Sequence, residues 1–205
     1  MNQKQLQSEQ TKKKIAEAAR ALFVQKGYKA TSIEDIVRTT GSSKGNIYYH
    51  FKSKEGLFLY LIEEWDREWI LNWGQSVHLY KTTTDKLYGV AQQLADDDLN
   101  HPLTKAADEF FHQEEKTSEV ESRIAEMMAR HLEFNQKLLQ EGIDCGEFGP
   151  NDTERLAVIL EALFFGANQL SRSLSPHKTR VLYKDAITVF LNGITRNKLT
   201  ESEEE

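Results

Sequence analysis

Between Ser43 and Lys54 the chain strings together side chains suited to hydrogen bonding rather than to burial: Ser43, Lys44, Asn46, Tyr48, Tyr49, His50, Lys52 and Lys54, with Gly45 among them. A charged, amide-bearing and phenolic helix end suits the DNA major groove, where the N-terminal residues of a second helix meet base edges. Gly45, lacking a Cβ, would let the backbone come close to a duplex. The same residues also suit the solvated face of a helix hairpin in any helical protein, so spacing alone leaves both readings open. Catalytic chemistry is not written here: the chain has no phosphate-cradling glycine loop, nucleophile elbow or zinc motif. His112-x-x-Glu115 offers only two metal ligands, and the single Cys145 excludes an internal disulfide framework. No catalytic residue, metal or cofactor is therefore expected.

The elements that must position these residues can be read from periodicity. Lys12, Lys13 and Lys14 open a first helix, whose stripe of Ile15, Ala18, Ala19, Leu22 and Phe23 is closed by Gly27; the polar residues before about position 8 are expected to be disordered. Thr31 stands as an N-cap with Glu34 at the capping-box spacing, predicting a short helix from Ser32 to about Thr39 with Ile33, Ile36 and Val37 inward. Gly41 ends it. Ser42 and Ser43 are cap candidates for a second short helix from Lys44 to about His50, with Ile47 and Phe51 facing a core. Ser53 caps a fourth helix, Glu55 suits its first turn, and Leu57, Phe58, Leu61, Ile62, Trp65 and Trp69 carry it to about Trp73.

The run from Ile15 to Ile62 resembles the N-terminal domain of the TetR family of bacterial transcriptional regulators. The resemblance is carried by Ala18-Ala19, Leu22-Phe23, Lys26-Gly27-Tyr28, Thr31-Ser32-Ile33, Ile36, Gly41, Ser43-Lys44-Gly45, Ile47-Tyr48, His50-Phe51, Ser53-Lys54-Glu55 and Leu57. Ser42 departs from the small apolar residue frequent in the family. The resemblance implies an all-α protein of about nine helices. A three-helix helix-turn-helix DNA-binding domain over residues 1–53 would precede a larger helical effector-binding and dimerisation domain over 54–200 and an acidic tail over 201–205. It implies that Lys44, Gly45, Asn46, Tyr48 and Tyr49 read or line the major groove, that Ser32, Tyr49, His50, Lys52 and Lys54 hold phosphates, and that Ser43 belongs to the same DNA-binding set.

The rest of the chain reads as helices over about 84–97, 103–115, 118–143, 152–170 and 177–197. Apolar and aromatic residues with a few polar handles form the expected effector pocket: Trp65, Trp69, Phe110, Phe111, Met127, His131, Phe134, Phe164 and Asn168. In the family the last two long helices pair with their copies, which implies a homodimer through Leu160, Phe164, Ala167, Leu182, Ala186, Val189 and Phe190. Charge divides along the chain. Residues 1–60 hold eleven basic and five acidic side chains, net +6, and the remainder fifteen and twenty-seven, net −12. One end suits a polyanion and the other solvent. With no apolar run long enough for a bilayer and no apolar stretch in MNQKQLQSEQTKKK for a signal peptide, a cytoplasmic protein is expected. The resemblance implies a repressor released from a palindromic operator by an apolar or aromatic small molecule, controlling efflux, lipid or other metabolic genes. The alternative is an all-helical small-molecule-binding protein or enzyme that does not act on DNA.

Overall fold

The computed structural model describes residues 2–112 and 116–194. Among these the chain is all-helical. Helices α1 (Gln3–Lys26), α2 (Ile33–Thr40), α3 (Lys44–Phe51) and α4 (Lys54–Ser76) are followed, after a 3-10 turn at Val77–Leu79, by α5 (Thr83–Asn100), α6 (Thr104–Phe111), α7 (Ser118–Asp144), α8 (Thr153–Ser171) and α9 (Pro176–Ile194). They form two compact units, Met1–Leu71 with His101–Ala125, and Asn72–Asn100 with Glu126–Glu205.

In the first unit, α1, α2 and α3 close around Ile15, Ala19, Phe23, Ile36, Ile47 and Phe51, all buried. Behind them lies an aromatic cluster. Phe58 of α4 meets Phe23 edge-on at 4.8 Å and Tyr28 at 4.9 Å, and Phe110 of α6 lies 5.1 Å from both Tyr28 and Phe58. Glu109, beside Phe110, accepts the backbone N–H of Lys29 at 2.8 Å. Its carboxylate fills the space where a side chain at position 27 would go, and Gly27 sits at φ +85°, so no other residue fits there without strain. Arg123 of α7 makes a two-pronged ion pair with Glu63, and Trp65 stacks flat on His101 at 3.6 Å.

In the second unit, α5, α8 and α9 pack together around Leu87, Val90, Leu160, Ile187 and Leu191. Asp98 of α5 ties them, accepting from Asn168 Nδ2 at 2.5 Å and from the buried Tyr183 hydroxyl. Glu147, in the α7–α8 turn, reaches back to cap α5, accepting N–H groups of Thr83 and Thr84 at 2.7 and 2.9 Å.

Several boundaries differ from expectation. Helix α1 begins at Gln3, not near Lys12, because Asn2 and Gln5 form a complete capping box on polar but helix-favouring residues. The cap of α2 is Ser32, not Thr31. The Thr31 hydroxyl is buried and donates to Gly27 O at 2.7 Å, while Ser32 exchanges hydrogen bonds with Asp35 rather than Glu34. Helix α4 runs through Gly74 to Ser76, α5 to Asn100, and α6 stops at Phe111 with His112 closing it. The expected continuation of α9 to Asn197 and the acidic tail lie outside the described residues.

The corner between α3 and α4 depends on a close approach. A Cβ built on Gly56 falls 2.1 Å from the Phe51 carbonyl oxygen. Gly56→Ala should therefore destabilise the protein by about 1–3 kcal/mol, the range of overpacked sites, read as a lowered denaturant midpoint. An unchanged midpoint would show that the corner has slack.

Candidate nucleic-acid interface

Helix α3 is positioned from both ends. Gly41, in the left-handed conformation at φ +66°, terminates α2 and turns the chain. The Ser43 hydroxyl then accepts the Asn46 N–H at 3.1 Å to start α3. Ile47 and Phe51 anchor the inner face, Ile47 with no exposure at all. The remaining face is therefore outward by geometry: Lys44, Gly45, Asn46, Tyr48 and Tyr49 are all exposed, Tyr49 by 71%. An unburied tyrosine of that extent on a well-capped helix contributes nothing to the core and is available to a partner.

At its far end α3 turns sharply. Lys52 takes φ +66° and ψ −42°, the one described non-glycine residue with positive φ. Its N–H bonds Tyr48 O at 2.9 Å, and the next N–H, of Ser53, reaches Phe51 O at 2.8 Å across a tight γ-type turn. Such strained positions cluster where a side chain must be aimed, and Lys52 is exposed beside the start of α4. The Ser53 hydroxyl accepts the Gly56 N–H at 2.9 Å, as its cap role requires.

The expected phosphate-holding residues do not share one environment. Lys52 and Tyr49 are exposed, with the Tyr49 ring edge-on to His50 at 5.0 Å. Ser32 is half-buried and committed to Asp35. His50 is half-buried beside Tyr49, and its pKa is held below the usual histidine value by burial and by Lys12, against an opposing pull from Glu9. Lys54 is turned inward: its ammonium donates to Tyr28 O at 3.0 Å and Thr31 O at 3.1 Å and lies 4.2 Å from the Tyr28 ring centroid. That places it as a strut closing the α1–α2 connection. Sequence reasoning also missed Asp35, which pairs with Arg38 and whose pKa is held down at about 2 by hydrogen bonds from the Ser32 backbone and hydroxyl and by Lys26. Its signal was the Ser32-x-x-Asp35 spacing, which competes with Thr31-x-x-Glu34 one residue earlier.

The candidate effector residues are distributed over both units. In the first, Phe110 belongs to the aromatic cluster and is fully buried, Phe111 is partly exposed, and Trp65 is covered on one face by His101. Trp69 is half-buried. In the second, Phe164 stacks on Tyr183, Asn168 is engaged by Asp98, and Met127 is buried. His131 Nδ1 lies 3.3 Å from Glu161, which also accepts from Asn135 at 2.9 Å, and Phe134 meets Trp73 edge-on at 6.0 Å. Of the pair His112 and Glu115, His112 contacts Asp108, and Glu115 lies outside the described residues.

The expected dimer residues also divide. Leu160, Phe164, Ala167 and Phe190 are buried within their own unit; Leu182 and Ala186 are half-buried, and Val189 is 70% exposed. Helix α8 instead shows a second apolar stripe outward, Val158, Ile159 and Phe165, the last 60% exposed. Sequence reading merged the two stripes because both are apolar at helical spacing.

Comparison with known proteins fits this geometry. Residues 15–61 match the tetR family of bacterial regulatory proteins, and residues 65–196 match the C-terminal region of QacR-like protein. The chain belongs to the tetR family and is a helix-turn-helix, DNA-binding transcriptional regulator. Within that family it is similar to the HTH-type transcriptional regulator QacR of Staphylococcus aureus strain Mu50, 29% identical over 185 residues that cover 90% of this chain and 98% of QacR. The HTH-type transcriptional repressor AcnR of Corynebacterium diphtheriae is 40% identical over 53 residues, 26% of this chain and 28% of AcnR. A crystal structure of the transcriptional regulator FadR from Bacillus subtilis in complex with stearoyl-CoA shares the fold at a TM-score of 0.72. It is 20% identical and covers 88% of this chain and 98% of FadR. Among the described residues no helix is long and apolar enough to cross a membrane.

A Cβ on Gly45 would meet only Ser43 Oγ, at 3.8 Å, in ordinary contact. Gly45→Ala should leave thermal stability unchanged or slightly raised, yet weaken DNA binding by about tenfold or more if the backbone at this position closes on the duplex. Retained affinity would remove Gly45 from the interface.

Proposed function

We propose that this protein is a homodimeric repressor whose two heads read the halves of a palindromic operator and which an apolar or aromatic small molecule releases. The observation that carries the reading is the exposed row Lys44, Gly45, Asn46, Tyr48 and Tyr49 on a helix pinned at both ends. In this reading Ser43 caps that row, Asn46 and Tyr48 read bases, and Tyr49, His50 and Lys52 meet phosphates, with Ser32 supporting them through α2. Lys54 acts from behind, holding the α1–α2 connection. The head is residues 1–53, and residues 54–200 carry effector binding and dimerisation. The dimer is supported by the outward stripe of Val158, Ile159 and Phe165 on α8 and by Leu182, Ala186 and Val189 on α9. A short reading helix touches few base pairs, and a two-fold axis doubles them.

Within the second unit, Met127, His131, Phe134 and Asn168 are the residues offered to the effector. The effector acts only as far as it binds one arrangement of the dimer better than the other. The protein has no enzymatic role in this reading and works in the cytoplasm, and the controlled genes serve efflux, lipid or other metabolism. Repression rather than activation is supported by relatives such as AcnR, which bears the name of repressor.

The test is selection of duplexes from a random-sequence pool by the full chain. Recovery of an inverted repeat, bound with an affinity that falls steeply with salt, is the expected result; absence of any enriched sequence would reject the function. Phe165→Glu should give a monomer by sedimentation and lower affinity for the selected duplex by more than roughly tenfold. A dimer that survives it would move the interface elsewhere.

His50 gives the binding a pH dependence with a defined sign. In the free protein its pKa lies below the usual histidine value, so the ring is neutral in weakly alkaline buffer. A phosphate beside it would raise the pKa in the complex. Affinity gained this way is fully present below the free-protein pKa and is lost as pH rises through the higher pKa of the complex. Each unit of pKa rise corresponds to about tenfold in affinity. Operator titrations from acid to alkaline pH should show the trend for the wild type and a flatter one for His50→Gln.

A further inference from the structure

Helix α2 opens with two adjacent carboxylates, and the structure uses them differently. Asp35 closes the capping box with Ser32 and pairs with Lys26 and Arg38. Glu34, relieved of that duty, reaches across to α3, where its Oε1 accepts from the Lys44 ammonium at 2.8 Å. Both side chains are exposed, Lys44 by 54% and Glu34 by 68%. The hydrogen bond and the opposite charge hold the Glu34 carboxyl below its usual pKa and raise that of Lys44, so both stay ionised at neutral pH.

Exposed pairs of this kind contribute little to folding. Placed on the reading face, however, the carboxylate has a cost: it sets a negative charge among residues that must approach a polyanion. Lys44 is the first residue of α3, the position nearest the base edges. Left alone, its ammonium would bind any phosphate within reach, which strengthens every sequence equally.

We infer that Glu34 is a specificity-determining residue, which keeps Lys44 occupied on random DNA and releases it only to a base edge rich in acceptors, as guanine presents in the major groove. This rests on the DNA-binding reading above. On non-specific DNA the Lys44 charge is already neutralised, so its contribution to counterion release is withheld. At the operator the exchange of carboxylate for two fixed base acceptors, aligned by the rest of α3, is the step that discriminates. Specificity here comes from a repulsive element that makes the wrong complexes poorer.

The test uses the full chain, the duplex selected by the wild type, and a random duplex of equal length. Glu34→Gln should strengthen binding to the random duplex and steepen its salt dependence by up to about 0.9 per head. Operator affinity should change less, so the ratio of operator to random affinity falls by roughly fivefold. Lys44→Gln in the Glu34→Gln background should remove most of that difference, since the carboxylate acts through Lys44. An unchanged melting temperature for Glu34→Gln confirms that folding is not the cause. The inference is overturned if Glu34→Gln raises both affinities by one factor, or acts equally in the Lys44→Gln background, because the charge then works only at a distance. A loss of operator affinity in Glu34→Gln would overturn it as well, by making Glu34 itself a reader. A wild type that enriches no sequence would instead reject the DNA reading beneath it.

Discussion

The exposed polar face of α3 exists because four aromatic rings are buried behind it. Helices α2 and α3 have eight residues each, too few to be stable alone in water. Their geometry is imposed by packing against α1 and α4, whose junction is the cluster of Phe23, Tyr28, Phe58 and Phe110. Aromatic pairs in such arrangements contribute about 0.5–1.5 kcal/mol each beyond the area they bury. Lys54 adds a second restraint by donating to the carbonyls of Tyr28 and Thr31 at the exit of α1. With the inner face of α3 fixed by Ile47 and Phe51, the polar residues have no direction left but outward.

That rigidity gives the outward side chains their chemical meaning. A lysine, an amide and two phenols on a frayed helix would sample many poses and recognise nothing in particular. Capped by Ser43 and ended by the tight turn at Lys52, they keep fixed spacing. The two carboxylates of α2 belong to the same design: one stabilises the helix start, and the other answers the positive charge on α3.

Much of this could be read from residues alone. Apolar spacing placed Ile33, Ile36, Ile47 and Phe51 inward and left the α3 surface outward, and Gly41 ended α2 as expected. What could not be read was decided by partners distant in sequence. Thr31 and Ser32 each have an acid three residues on, so spacing cannot choose the cap; the Gly27 carbonyl chooses, by engaging the Thr31 hydroxyl. Lys52 and Lys54 look alike beside one helix start, yet carbonyls 23 and 26 residues away turn only Lys54 inward. Leu160, Phe164, Val158 and Phe165 share one helix and one character; periodicity finds two stripes there but cannot say which faces its own subunit. The start of α1 was legible in principle, since Asn2 and Gln5 have capping-box spacing. Its polar composition hid the signal.

Helix α6 has a wider implication for how such proteins can be recombined. Phe110 completes the aromatic cluster and Glu109 secures the backbone at Lys29, from 80 residues downstream. A fragment cut after the α3–α4 corner would keep all the exposed side chains of α3 and lose these two supports, exposing Tyr28 to water. Transplanting operator preference from one regulator to another by exchanging N-terminal segments would then create a chimera with mismatched halves. Matching α6 to its own α1–α2 connection is the condition for a working hybrid.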